Sequence, residues 1–257
     1  MATYTTEITS DSLDSDNPIH QRLIKAYYLS IPFIRGDVLE IGCGEGRGIE
    51  LLQDKCQSYL AVDKNGPIIE KLRKLYPWGE FIQLSIPPLS GIPDNSVDRV
   101  ISFQVIEHIQ DDCAYLKEIK RVLKPGGLAL LTTPNRKFTL TRNPWHQREY
   151  LAEELLNRCR SVFEQVEIKG IRGNEKVMEY YHRNKASVQR ITRFDIFNLQ
   201  HKLPASWLQV PYEILNRMNR RKLQNQDDQL VASISHEDYL LSDSAEESLD
   251  LFCILTK

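Results

Sequence analysis

From residue 37 onward, short apolar runs alternate with stretches whose apolar positions recur at helical spacing. DVLEIG (37–42), YLAVD (59–63), EFIQLS (80–85), VDRVISFQ (97–104) and GLALLTTP (127–134) read as strands. The helical period is clearest in DDCAYLKEIKRVL, where Tyr115, Leu116, Ile119, Val122 and Leu123 line one face. Acidic residues open this helix and Lys124-Pro125-Gly126-Gly127 ends it. Alternation of this kind predicts a parallel sheet covered on both faces, because a parallel pair needs a long crossover and a helix supplies it. The expected fold is a doubly wound α/β domain with its ligand site at the C-terminal ends of the strands.

After Tyr150 come a helical stretch, AEELLNRCR, a strand, VFEQVEIKGI (162–171), and a closing strand, LDLFCILTK (249–257). Residues 172–248 leave the alternating pattern: two helical blocks, 174–192 and 205–223, precede polar tracts containing NQDDQ and SDSAEES. So few residues bury a core poorly alone, which predicts a helical insertion packed on the sheet domain as an acceptor lid or dimer contact. The expected organisation is a tail and helical cap over 1–36, a sheet domain over 37–171 and 249–257, and the insertion between.

Composition narrows the setting. The 257 residues are 41% hydrophobic and carry 33 basic against 35 acidic side chains, enough for a core and too balanced to signal a nucleic-acid partner. Five scattered cysteines without a C-x-x-C pair suit reduced thiols and a cytoplasmic location. No run approaches the roughly 18 apolar residues of a spanning helix. A peripheral membrane contact and a homodimer stay open, and the cluster RMNRRK (217–222) suits either an anionic partner or a solvated face.

The first strand runs into Glu40-Ile41-Gly42-Cys43-Gly44-Glu45-Gly46-Arg47-Gly48. A nicotinamide fingerprint, G-x-G-x-x-G, fails here: counted from Gly42 it meets Arg47, and from Gly44 it meets Ile49. Glu40 at the strand end would repel a pyrophosphate and attract an ammonium group. Asp63 ends the next strand, where an acid can accept from both ribose hydroxyls; the plainer alternative is a helix N-cap for PIIEKLRKL.

These segments resemble the class I methyltransferases that use S-adenosylmethionine. LEIGCGEGRG is similar to their first motif, AVDKN to the acidic ribose loop, and VDRVISFQVIEHI with LKEIKRVLKPGGLALLTTPN to their fourth and fifth strands. The resemblance implies a seven-stranded Rossmann-like sheet whose last strand, LDLFCILTK, is antiparallel. It further implies Glu40 near the methionine ammonium, Gly42, Cys43 and Gly44 around the methionine and ribose portions, and Asp63 with Lys64 at the ribose. Phe103 and Gln104 would flank the cofactor, with His108 further round the pocket. An acid usual near the adenine is replaced by QLSIPPL, leaving Ser85 or a backbone carbonyl for that bond.

NPWHQREY (143–150) follows the fifth strand. His146 is the candidate general base toward a small-molecule acceptor, since imidazole titrates near neutral pH, with Tyr150 as a second catalytic candidate and Trp145 as a wall. In the plainer reading Asn143-Pro144 marks a turn, Trp145 packs beneath it, and Glu149 pairs with Arg148 or caps a helix. NPWHQREYLAEEL is similar to a segment at this position in small-molecule and glycan or lipid methyltransferases, which favours a site role for the octet; the expected acceptor is a glycan, lipid or quinone-like metabolite methylated at oxygen. The N-P-P-Y motif of amino-group methylation is absent, SFQV standing in its place. Arg22 and His20 could cover the cofactor carboxylate, or Arg22 could belong to a solvated helix face. No cluster of acids and histidines at metal-ligand spacing is visible. The alternatives are a nicotinamide-dependent oxidoreductase and a catalytically silent cofactor-binding scaffold.

Overall fold

Each apolar run between residues 37 and 134 becomes a strand in the computed structural model, which describes residues 13–193, 195 and 199–257. The first half comprises α1 (Asn17–Ser30), β1 (Asp37–Ile41), α2 (Ile49–Leu52), β2 (Ser58–Asp63), α3 (Gly66–Leu75), β3 (Glu80–Gln83), β4 (Val97–Phe103), α4 (Asp112–Val122) and β5 (Leu123–Pro134). There follow α5 (Ala152–Arg160), β6 (Gln165–Gly173), α6 (Glu175–Thr192), α7 (Leu199–Lys202), α8 (Ala205–Gln226), α9 (Asp228–Ser233), β7 (Tyr239–Ser242) and β8 (Asp250–Thr256).

The helices start where side chains replace missing backbone partners. Asn65 accepts from the Ile68 amide to cap α3, and Asp111 accepts from the Ala114 amide to cap α4. Helix α4 then buries Tyr115, Leu116, Ile119 and Val122; burial of each aliphatic side chain contributes about 1.5–3 kcal/mol. One apolar layer, holding Leu72 and Phe252, lies on one side of the sheet, and a second, holding Leu116 and Leu155, lies on the other.

The strand order is β3-β2-β1-β4-β5-β8-β6-β7. Strands β1 to β5 are parallel, and β8 runs antiparallel between β5 and β6. The sheet has eight strands rather than the expected seven. The addition is β7, inside the stretch read as helical: Tyr239 is buried but Leu240 and Leu241 are exposed, so no alternating pattern betrays this edge strand.

The N-terminal helix and the segment between β6 and β8 interlock. The Asn17 side chain donates to the carbonyls of Val231 and Ile234 at 2.8 and 2.9 Å, and the Tyr239 hydroxyl donates to the Pro18 carbonyl at 2.6 Å. Arg217 and Arg220 of the basic cluster pair with buried Asp16 at 3.3 and 3.0 Å. Arg22 is not on a solvated face: its Nε donates to Asp250 Oδ2 at 2.6 Å and its Nη2 to the Leu249 carbonyl at 2.8 Å, tying α1 to the start of β8.

Candidate active site

Strand order reverses at β1, with β2 and β3 to one side and β4 and β5 to the other, and such a reversal opens a crevice at the strand ends. The glycine loop turns into it. Gly42 has φ +76°, and a Cβ there would lie 2.4 Å from Val105 Cγ2, so only glycine lets the loop pass the turn after β4. Gly44, at φ +49°, would direct a Cβ into open space, leaving a cradle beside the loop. The amides of Gly42 and Cys43 donate to the Val62 carbonyl at 2.8 and 3.4 Å, and that of Gly44 to Asp63 Oδ2 at 3.0 Å. With these donors committed, the loop offers carbonyls and glycine surface. That suits a cationic amino acid moiety better than a pyrophosphate, which needs amide donors.

Asp63 does not cap α3; Asn65 does. The Asp63 carboxylate instead accepts from the Gly44 and Asn65 amides, the latter at 2.8 Å. A carboxylate has about four acceptor positions, so capacity remains for a diol.

Glu40 is 2% exposed and accepts from the hydroxyls of Tyr27, at 2.6 Å, and Tyr59. Burial pushes its pKa up to about 7; the tyrosine bonds pull it down and the charge of Asp63 adds to the rise. Tyr27 also packs on Gly48 and meets Phe103 edge-on at 4.8 Å, so α1 closes this side of the crevice. Gln104 has φ +58°, a strained conformation for a non-glycine residue; its Nε2 donates to Thr132 Oγ1 at 3.3 Å. Ser85 and Lys64 lie exposed beyond the ends of β3 and β2.

A carboxyl group whose pKa is higher folded than unfolded keeps extra proton in the native state, so stability falls as pH rises from about 4.5 to about 7. Glu107 is pushed up to about 7 as well, again chiefly by burial. Glu40→Gln is expected to flatten roughly half of this slope and to stabilise the protein at pH 8 by up to about 3 kcal/mol. Urea melts at pH 5 and pH 8 check this; a slope equal to that of the wild type would show that Glu40 ionises normally.

The octet after β5 folds against the turn after β4. The Gln147 and Arg148 amides donate to the Glu107 carbonyl at 2.7 and 3.2 Å. His146 Nδ1 lies 2.6 Å from Glu149 Oε1, and Thr139 donates its hydroxyl to the other Glu149 oxygen. Asn143 Oδ1 accepts from the Trp145 amide, which turns its Nδ2 toward His146 Nε2 at 2.8 Å. This arrangement selects the tautomer with the proton on Nδ1 and the lone pair on Nε2. His108 lies edge-on to His146 at 4.9 Å, its Nδ1 3.0 Å from the Trp145 carbonyl.

Spacing along the chain shows no metal-ligand cluster, but in the fold Glu107, His108 and His146 each place a possible ligand atom within 4.8 Å of the others. Loops separated in sequence bring them together, so spacing could not reveal the group. A cation on His146 would have to displace Glu149 or Asn143. Tyr150 is not brought to this group. It is 1% exposed, and its hydroxyl donates to Asp112 Oδ2 at 2.7 Å, a carboxylate that also holds Arg148 and Arg158. Its evident work is to anchor the octet to α4.

Residues 39–131 match the family described as "Methyltransferase domain". The chain is 40% identical over 159 residues to a "Probable S-adenosylmethionine-dependent methyltransferase" of Mycobacterium tuberculosis, covering 60% of this chain and 58% of that one. It is 31% identical over 104 residues to a "Ubiquinone biosynthesis O-methyltransferase" of Xanthomonas oryzae, covering 38% of this chain and 43% of that one. The chain thus spans about half the length of the curated relatives it matches. Among solved structures it is similar to an "SAM-dependent methyltransferase, possible histamine N-methyltransferase" of Thermotoga maritima, with TM-score 0.58, 16% identity and coverage of 93% and 91% of the two chains.

Residues 39–131 thus match a methyltransferase domain, in a fold similar to that of a solved S-adenosylmethionine-dependent methyltransferase. The open cradle at Gly44, the acceptor capacity of Asp63 and the buried acid at Glu40 fit that cofactor. The segment after β6 reaches the loop after β5. Trp145 meets Tyr212 of α8 edge-on at 5.7 Å, and Arg142 donates to the carbonyls of Gln200 and Leu203 at 3.1 and 3.3 Å. Between the loop after β5 and helices α6 and α8 is a cavity of about 450 Å³, lined by Val188, Ile191, Leu203, Leu208, Tyr212 and Leu215 among others.

Sequence reading did not single out Tyr27, Tyr59, Glu107 and Asp250, all buried and hydrogen-bonded to residues named above. One signal was present: Asp250 is a charge inside the apolar run LDLFCILT, and a buried carboxylate there needs a cation, which Arg22 supplies.

Proposed function

We propose that the protein transfers the methyl group of S-adenosylmethionine to an oxygen of a small, largely apolar acceptor. The observation that carries this reading is the Glu149–His146 pair on the loop whose Thr141 and Arg142 line a cavity with apolar walls. The cofactor supplies an electrophilic methyl group on a sulfonium and with it most of the activation. Glu40 would face its ammonium, Asp63 and Lys64 its ribose, and Ser85 its adenine. Gly42, Cys43 and Gly44 form the floor, with Phe103 and Gln104 along the side.

His146 Nε2 would take the proton of an acceptor hydroxyl, releasing its bond to Asn143, while Glu149 stabilises the imidazolium that forms. His108 and Trp145 wall the acceptor in. Tyr212 both lines the cavity and touches Trp145, so an apolar tail in the cavity would leave the reacting group near His146. The likeness to a ubiquinone biosynthesis O-methyltransferase supports a quinone-like phenol as the acceptor class.

Incubation of the protein with methyl-labelled cofactor and cell extract, followed by partition between organic solvent and water, tests the reading. Label is expected in the organic phase. Label confined to the aqueous phase would overturn the apolar acceptor, and no transfer despite cofactor binding would favour a silent binder.

A further inference from the structure

Helix α8 exposes a stripe of large apolar side chains. Trp207, Val210, Ile214 and Met218 are 71%, 64%, 54% and 62% exposed, and Leu215 joins them at 45%. Spacings of three and four residues place them on one helical face over about three turns. Scattered apolar side chains on a surface need no explanation, but a contiguous patch of this kind marks a docking face.

Charge says what docks. The stripe runs at its C-terminal end into exposed Arg221 and Lys222 on the same face, and exposed Lys202 lies just before its N-terminal end. The one acid of α8, Glu213, falls on a different face by the helical period. A second copy of the chain laid antiparallel on the stripe would bring Arg221 and Lys222 against Lys202, juxtaposing like charges at the ends of the stripe. An anionic lipid surface meets both needs, because its headgroups neutralise the ends while its acyl boundary takes up the apolar middle. No described helix is long and apolar enough to cross a membrane, so α8 would lie in the interface.

We infer that α8 docks the protein on anionic lipid bilayers, with Trp207, Val210, Ile214 and Met218 in the acyl boundary and Arg221 and Lys222 on the headgroups. The placement also gives the cavity a source. Trp207, Pro211 and Leu215 line it from the same helix, so its wall is continuous with the docked face and an apolar acceptor could enter from the bilayer. That last step rests on the proposed methyl transfer; the docking does not.

Sedimentation with vesicles of phosphatidylglycerol and phosphatidylcholine, without cofactor or acceptor, tests the docking independently of any activity. The wild type is expected to sediment with these vesicles, less so as salt rises, and to stay behind with phosphatidylcholine alone. Neutralising one basic residue near such a surface costs about fivefold in affinity, so Arg221→Gln with Lys222→Gln should lose about 30-fold. Ile214→Glu with Met218→Glu, both at exposed positions outside the cavity lining, should lose at least about tenfold while keeping the melting temperature. A blue shift of wild-type tryptophan fluorescence on adding anionic vesicles, absent in Trp207→Phe, reads the same contact without a folding risk. Wild type that stays in the supernatant, or a double glutamate variant that binds like wild type, would overturn the proposal. So would self-association abolished by those glutamates without vesicle binding, since it would give the stripe to a second copy.

Discussion

Asp63→Ala is expected to lower affinity for S-adenosylmethionine by about 10²- to 10⁴-fold. Two hydrogen bonds from ribose hydroxyls to a carboxylate, at roughly 1.5–3 kcal/mol each, account for that range. The substitution acts twice, because the same carboxylate holds the Gly44 and Asn65 amides and so shapes the loop it faces. Asp63→Asn separates the two effects: one amide oxygen can still hold a loop amide, but the charge is gone. Calorimetric titration with the cofactor and its demethylated product measures both variants. Affinity within threefold of wild type for the alanine variant would remove Asp63 from the site.

His146→Ala is expected to lower turnover by about 10²-fold or more at saturating acceptor while leaving cofactor affinity nearly unchanged, since general bases typically contribute about 10² to 10⁴ in rate. The alanine variant also strands the Glu149 carboxylate, so a stability loss is expected alongside. His146→Gln keeps a donor toward Glu149 without a base and controls for that loss. Glu149→Gln should retain part of the rate, because it alters only the stabilisation of the imidazolium. Unchanged turnover in His146→Gln would show that the imidazole shapes the loop and takes no proton.

How far these residues were legible beforehand depends on whether their signal was local. Strands β1, β2, β4 and β5 announce themselves because both faces of a parallel strand are buried, which writes an apolar run into the sequence. The glycine loop is legible because glycine adopts the positive φ found at Gly42 and Gly44 without steric cost. Strand β7 was missed because a four-residue edge strand buries little, and it is held by backbone pairing with β6. The meeting of Glu107 and His108 with His146 was missed for a different reason: two loops converge because parallel strands β4 and β5 end side by side. No spacing rule reports that neighbourhood. Tyr150 shows the converse risk: a phenol close in sequence to a histidine proved to point into the core, where its hydroxyl serves Asp112.

Strand β8 divides β5 from β6, so β6 and β7 join the sheet only through it. During synthesis on the ribosome β6 is made well before the strand it docks on, and the β6–β7 pair has no place to attach until residues 250–256 emerge. Arg22 likewise waits for Asp250, leaving α1 without its clasp over the crevice. The crevice therefore lacks this clasp until β8 is made, and an interruption of synthesis before β8 would leave two exposed strand edges in search of a partner.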